Sequence, residues 1–131
     1  MRLLLDTNAF LWWMEENIRL GDRAKQTIAA PENEILLSAI VVWEIAIKRA
    51  LDRLDLTAET GELVDAAVEV LHFTPLPFFP AHALAVERLL PIHRDPFDRA
   101  LIAQAGFEGA VLLTSDRIFA QYPVETADAL T

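Results

Sequence analysis

The sequence predicts an α/β fold, a three-layer α/β/α sandwich around a central, mostly parallel sheet of about five strands. Short uninterrupted apolar runs, Leu3-Leu4-Leu5 and Ala110-Val111-Leu112-Leu113 foremost, are the mark of strands buried on both faces. Helix-capping and helix-forming segments separate these runs, and such alternation calls for crossover helices and parallel pairing. The first of these runs stops at an acid, Asp6, and the second runs through Thr114 and Ser115 into another, Asp116. In an open parallel sheet the carboxyl ends of the strands converge on a crevice at the topological switch point, where ligands bind.

The elements follow in order. After the strand ending at Asp6, residues 9–16 and 22–30 read as two short helices separated around Gly21. Glu34-Ile35-Leu36-Leu37 reads as the second strand, and Ser38 caps a helix from Ala39 to about Leu51. Thr57 or Thr60 starts a helix to about Val70, and Phe73-Thr74-Pro75 is a short third strand. Pro80 opens a helix to about Leu90, and Pro96 opens another to about Ala105. A strand over 110–114, a small helix over 117–121 and a last short strand near 124–126 complete the order.

At 131 residues, 53% of them apolar, the chain is long enough to bury about 68% of its unfolded surface and reads as one domain, 1–131. It contains no cysteine, which excludes disulfides, thiolate metal sites and cysteine nucleophiles, and fits a reducing cytoplasm. The first six residues reach a charge too early for a signal-peptide core. The apolar stretch from Ile35 is broken by Ser38 and Glu44, short of the ~18 residues of a membrane span. A soluble, unexported protein without membrane contact is expected. The net charge of −9 opposes nonspecific attraction to nucleic acid, so any such contact has to be local. Nine of the eleven cations are arginines, several beside acids, and arginine can fork onto phosphate or pair with carboxylates.

Four acids stand out. Asp6 and Asp116 follow strands, although an acid there can equally cap the next helix. Glu44 has Ile40, Val41, Ile47 and Lys48 as its same-face neighbours, so it is either a surface partner of Lys48 or a buried carboxylate aimed inward, which requires a cation. In His93-Arg94-Asp95-Pro96-Phe97-Asp98-Arg99, Asp95 fits a helix cap and Pro96 the first helical position, which leaves Asp98 one turn in and facing the cleft. His72, His82 and His93 show no close ligand spacing and read as packing or surface residues.

The combination resembles the PIN-domain nucleases, and among them the VapC-like toxin ribonucleases of bacterial toxin–antitoxin pairs. The matching pieces are Leu4-Leu5-Asp6-Thr7-Asn8, Ser38 with Trp43-Glu44, the 93–99 segment followed by Leu101-Ile102-Ala103-Gln104-Ala105, and Leu113-Thr114-Ser115-Asp116, and they span essentially the whole chain. The resemblance implies a PIN fold, divalent-metal-dependent cleavage of RNA, an acidic site of Asp6, Glu44, Asp98 and Asp116, and a cognate antitoxin.

Physical chemistry points the same way. Four carboxylates in one cleft persist only if cations neutralise them or some stay protonated. All-oxygen ligation selects Mg²⁺ or Mn²⁺, and hydrolysis of a phosphodiester is the reaction such a site performs. Thr7, Asn8 and Ser115, together with Asp95 and Arg99, are candidates for orienting the carboxylates or touching phosphate. A haloacid-dehalogenase-type phosphatase is an alternative, but it wants an acid where Asn8 stands and a lysine after a late strand, whereas the lysines are Lys25 and Lys48. A binding module with degenerate acids is a further alternative. Adjacent Trp12 and Trp13 lie ~100° apart on a helix, so one is a candidate for exposure in an antitoxin groove or a homodimer seam.

Overall fold

A computed structural model describes residues 1–131. Its centre is a five-stranded sheet in which every neighbouring pair is parallel, ordered β3-β2-β1-β4-β5. The strands are β1 (Arg2–Leu5), β2 (Glu34–Ser38), β3 (Thr74–Leu76), β4 (Val111–Thr114) and β5 (Thr126–Asp128). Leu3 to Leu5 of β1 and all of β4 are buried, as strands covered on both faces must be. The helices are α1 (Thr7–Met14), α2 (Asp22–Ala29), α3 (Ala39–Ala50), α4 (Thr60–Asp65), α5 (Pro80–Glu87) and α6 (Pro96–Glu108). Their apolar sides close a continuous core around Phe10, Ile45, Leu101 and Phe119.

The chain runs outward from β1 through β2 to β3, then crosses back so that β4 lies on the other side of β1. The order therefore reverses between β1 and β4, where Leu5 pairs with Leu113 and the Asp6 amide donates to the Leu113 carbonyl at 3.0 Å. The crevice of the sheet opens at the carboxyl ends of these two strands.

The expected helices and strands are all present, with shifted ends. The first helix begins at Thr7, two residues early, because Asp6 itself accepts the Ala9 amide as its cap. α4 starts at Thr60 and continues through Val70 as a π-helical turn. α5 stops at Glu87 rather than near Leu90. α6 runs three residues beyond Ala105, because Gly106 is tolerated in the helix, and Gly109 at φ 64° supplies the left-handed stop. A Cβ on Gly106 would lie 3.3 Å from Val124, so the helix and the segment before β5 meet closely there. The last strand sits two residues later than expected, since Thr126 rather than Val124 pairs with Leu112. Trp12 and Trp13 are both partly buried against the core, and the exposed tryptophan is Trp43, packed edge-on against Phe97 at 4.9 Å.

Candidate active site

The crevice between β1 and β4 holds a pocket of about 120 Å³ lined by Asp6, Thr7, Asn8, Glu44, Lys48, Asp95, Asp98, Ser115, Asp116 and Phe119. All four acids singled out in the sequence reach it, from four different segments.

Asp6 arrives because β1 ends one residue before it. Its Oδ1 takes the Ala9 amide at 2.8 Å, so the acid is at once the cap of α1 and a wall of the pocket. It is 6% exposed. Burial is the main force pushing its carboxyl from 3.8 up to about 6, with repulsion from Glu44 and Asp116 adding to it and the Thr114 hydroxyl and Ala9 amide pulling the other way.

Glu44 is carried by α3, whose start is fixed by Ser38: the Ser38 hydroxyl accepts the Ile40 amide at 3.0 Å and donates to Gln104 Oε1 of α6 at 2.5 Å. One turn further, Glu44 is 4% exposed. Thr7 donates its hydroxyl to Glu44 Oε1 at 2.6 Å, and Lys48 meets Oε2 from the next turn of the same helix. The two sequence readings of Glu44 thus hold together: it is buried, and Lys48 is the cation that meets it.

Asp95 caps α6 by accepting the amides of Phe97 at 2.8 Å and Asp98 at 3.0 Å. Asp98 then stands in the first turn. Burial raises its carboxyl to about 7, Asp95, Glu44 and Asp6 add repulsion, and His93 opposes the rise. Asp116 lies two residues past β4 and caps the 3₁₀ turn Arg117–Gln121 through the Ile118 amide at 3.0 Å.

His93 departs from its reading as a packing or surface residue. Its Nε2 sits 2.9 Å from Asp98 Oδ2 and 3.2 Å from Asp116 Oδ2. Ligand atoms of His93, Asp98 and Asp116 all fall within 4.8 Å of one another. No ligand spacing announced this, because its partners lie on α6 and after β4, while His93 is in the loop between α5 and α6. Its place just ahead of the Asp95 cap was the one available clue.

Thr7, Asn8, Ser115 and Asp95 line the pocket with the acids, but Arg99 does not. Its guanidinium turns away to the carbonyls of Leu90 at 3.0 Å and His93 at 3.2 Å, with Val86 and Leu89 at 3.4 Å, so it holds the loop that precedes α6. The arginine expected at phosphate is therefore occupied by backbone. Lys48 is the lysine or arginine that lines the pocket.

With carboxylate oxygens as most of its donors and the His93 nitrogen at its edge, and with two of the acids pushed up by burial and mutual repulsion, the pocket suits a divalent cation.

The chain matches the PIN domain family over residues 3–125. It is 30% identical over 116 residues to Ribonuclease VapC22 of Mycobacterium tuberculosis (strain ATCC 25618 / H37Rv), covering 88% of this chain and 87% of that one. Its fold is similar to that in the crystal structure of VapBC2 from Rickettsia felis bound to a DNA fragment from their promoter, with a TM-score of 0.74, 16% identity and 98% of each chain covered. A toxin-antitoxin complex from Klebsiella pneumoniae superposes with a TM-score of 0.58 at 21% identity, covering 92% of each chain.

Proposed function

The chain belongs to the PIN-domain family, and from that premise we propose that it is a divalent-metal-dependent endoribonuclease that hydrolyses RNA phosphodiester bonds as the toxin of a toxin–antitoxin pair. The observation that carries the reading is the meeting of Asp6, Glu44, Asp98 and Asp116 in one pocket at the β1/β4 switch point. The name of the relative in Mycobacterium tuberculosis supports RNA as the substrate.

Asp6, Asp98 and Asp116, with Glu44, are the residues proposed to hold Mg²⁺ or Mn²⁺. When bound, such a cation supplies the positive charge this cluster lacks and acidifies water enough to attack a phosphodiester near neutral pH. The chain's own groups do the rest. Thr7 and Lys48 fix Glu44 from two sides. Asn8, exposed at the pocket wall, and Ser115 offer an amide and a hydroxyl to phosphate oxygens. Asp95 fixes the start of α6 and hence where Asp98 points.

The antitoxin partner is proposed on the fold shared with the Klebsiella pneumoniae complex. An apolar groove of about 460 Å³ lined by Trp12, Trp13, Met14, Leu20 and Leu71 offers it a seat, and exposed Trp43 offers an apolar contact for a second copy. No helix of the chain is long and apolar enough to cross a membrane, and action in the cytoplasm, where RNA is at hand, completes the proposal.

The experiment is cleavage of a mixed RNA pool with Mg²⁺ or Mn²⁺, with the cleavage ends mapped. The expected result is metal-dependent cutting by the wild type that chelator and Asp6→Asn both remove. Cutting that survives both removes the reading.

A further inference from the structure

His93 can serve the acidic pocket in two ways, as a nitrogen ligand to a cation or as a hydrogen-bond donor to the carboxylates, and the two need opposite tautomers. A ligand Nε2 must present a lone pair, with the proton on Nδ1; a donor Nε2 carries the proton itself. The choice is made on the far side of the ring. The Asp95 backbone amide donates to His93 Nδ1 at 3.2 Å, and a backbone N–H has only a proton to offer, so Nδ1 must be the acceptor. The proton therefore resides on Nε2, which lies between Asp98 Oδ2 at 2.9 Å and Asp116 Oδ2 at 3.2 Å.

The ring has little freedom to turn over. The Tyr122 hydroxyl accepts the His93 amide at 2.7 Å, Arg99 donates to the His93 carbonyl at 3.2 Å, and Phe119 packs against the ring at 5.7 Å. A turned ring would face the Asp95 amide with Cδ2–H instead of an acceptor, and a proton moved to Nδ1 would set two N–H groups against each other there. Because Asp95 caps α6 through its side chain while its own amide fixes the imidazole, one residue sets both Asp98 and its clamp.

We propose that His93 is a positioning residue whose Nε2–H hydrogen-bonds Asp116 while its ring edge lies 2.9 Å from Asp98 Oδ2, so that it sets the separation of the two acids, and that it does not itself ligate the metal. Each carboxylate keeps lone pairs beyond those the ring uses, so both stay available to a cation. The proposal rests on the metal-site reading for its functional meaning. Its tautomer is a property of the protein alone.

Three measurements test it. Nitrogen-15 NMR of the metal-free protein labelled at histidine is expected to show His93 with its proton on Nε2 and none on Nδ1; a proton on Nδ1 overturns the proposal. Electron spin echo spectra of Mn²⁺ bound to the wild type are expected to lack a directly coordinated nitrogen, and such a coupling that vanishes in His93→Asn overturns it as well. Calorimetry with Mn²⁺ is expected to show His93→Ala weakened by about 10- to 100-fold, the usual loss when a group orienting metal ligands is removed. His93→Gln, whose amide nitrogen falls near the Nε2 position, is expected to recover most of the affinity, and His93→Asn, whose amide falls near Nδ1, is not. Equal affinity in wild type and His93→Ala overturns the proposal. If the wild type binds no Mn²⁺ that Asp98→Asn removes, the metal reading itself fails and takes the positioning role with it, whatever tautomer the spectra show.

Discussion

Asp6 and Glu44 make the deep half of the pocket, 6% and 4% exposed, while the side chains of Asp98 and Asp116 make the shallow half, 24% and 38% exposed. The deep acids are held from the helices that carry or follow them: Asp6 by the Ala9 amide of α1, Glu44 by Lys48 one turn on in α3 and by Thr7 at the start of α1. The shallow acids meet at His93, which stands five residues before Asp98 and reaches across to Asp116 after β4. Local construction fixes where a carboxylate sits; the long-range clamp fixes how far apart two of them stand. Both acids pushed up furthest, one from each half, are raised mainly by burial, and each is also repelled across the pocket, Asp6 by Asp116 and Asp98 by Glu44 and Asp6.

Neither half of the pocket is expected to be dispensable. Asp6→Asn in the deep half and Asp98→Asn in the shallow half should each lower metal-dependent RNA cleavage by roughly 10²- to 10³-fold, the loss typical of removing a group that holds developing charge. Steady-state cleavage of a defined RNA with folded, purified variants measures it, and unchanged turnover in either removes that half from the site.

The pH dependence of the metal-free protein follows from burial. The folded Asp6 carboxyl near 6 lies above its ordinary 3.8, so the folded chain binds that proton more tightly than the unfolded chain. The stability it contributes is fully present below 3.8 and lost as pH rises through about 6, at most about 3 kcal/mol, and Asp98 extends the decline toward 7. Urea unfolding in chelator from pH 4 to 8 should show this fall, flattened in Asp6→Asn. A stability that climbs across the same range contradicts the electrostatic account of both halves.

Lys48→Met leaves Glu44 buried without its cation and should cost about 2 kcal/mol at neutral pH, largely restored by adding Glu44→Gln. A double variant no more stable than Lys48→Met would mean the pair does not support the deep half. The smallest effect belongs to the cap: Asp95→Ala should cost about 1 kcal/mol, and Asp95→Asn much less, since asparagine caps well. Chemical denaturation separates them.

What could be read from the sequence was the local half of this design. Apolar runs ending in Asp6 and Asp116, Ser38 before an apolar helix, and Asp95-Pro96 opening another each use contacts within a few residues, and so each is written in adjacent letters. The switch point followed from alternation of strands and helices. His93 and Arg99 escaped because their partners are remote: the ring reaches Asp116, 23 residues on, and the guanidinium spends its donors on loop carbonyls that no side-chain pattern records. The exposed tryptophan was misplaced for a related reason, since angular spacing on α1 says nothing about the groove beside it, where Trp12 and Trp13 both find partial cover.

The central claim, that both halves form one divalent-metal site, is tested most directly by thermal melts at neutral pH with Mn²⁺ and with chelator. Wild type should gain stability as RT ln(1 + [L]/Kd), about 2.7 kcal/mol at a hundredfold excess over Kd, and both Asp6→Asn and Asp98→Asn should lose most of that gain. No stabilisation of the wild type, or an equal gain in all three proteins, contradicts it.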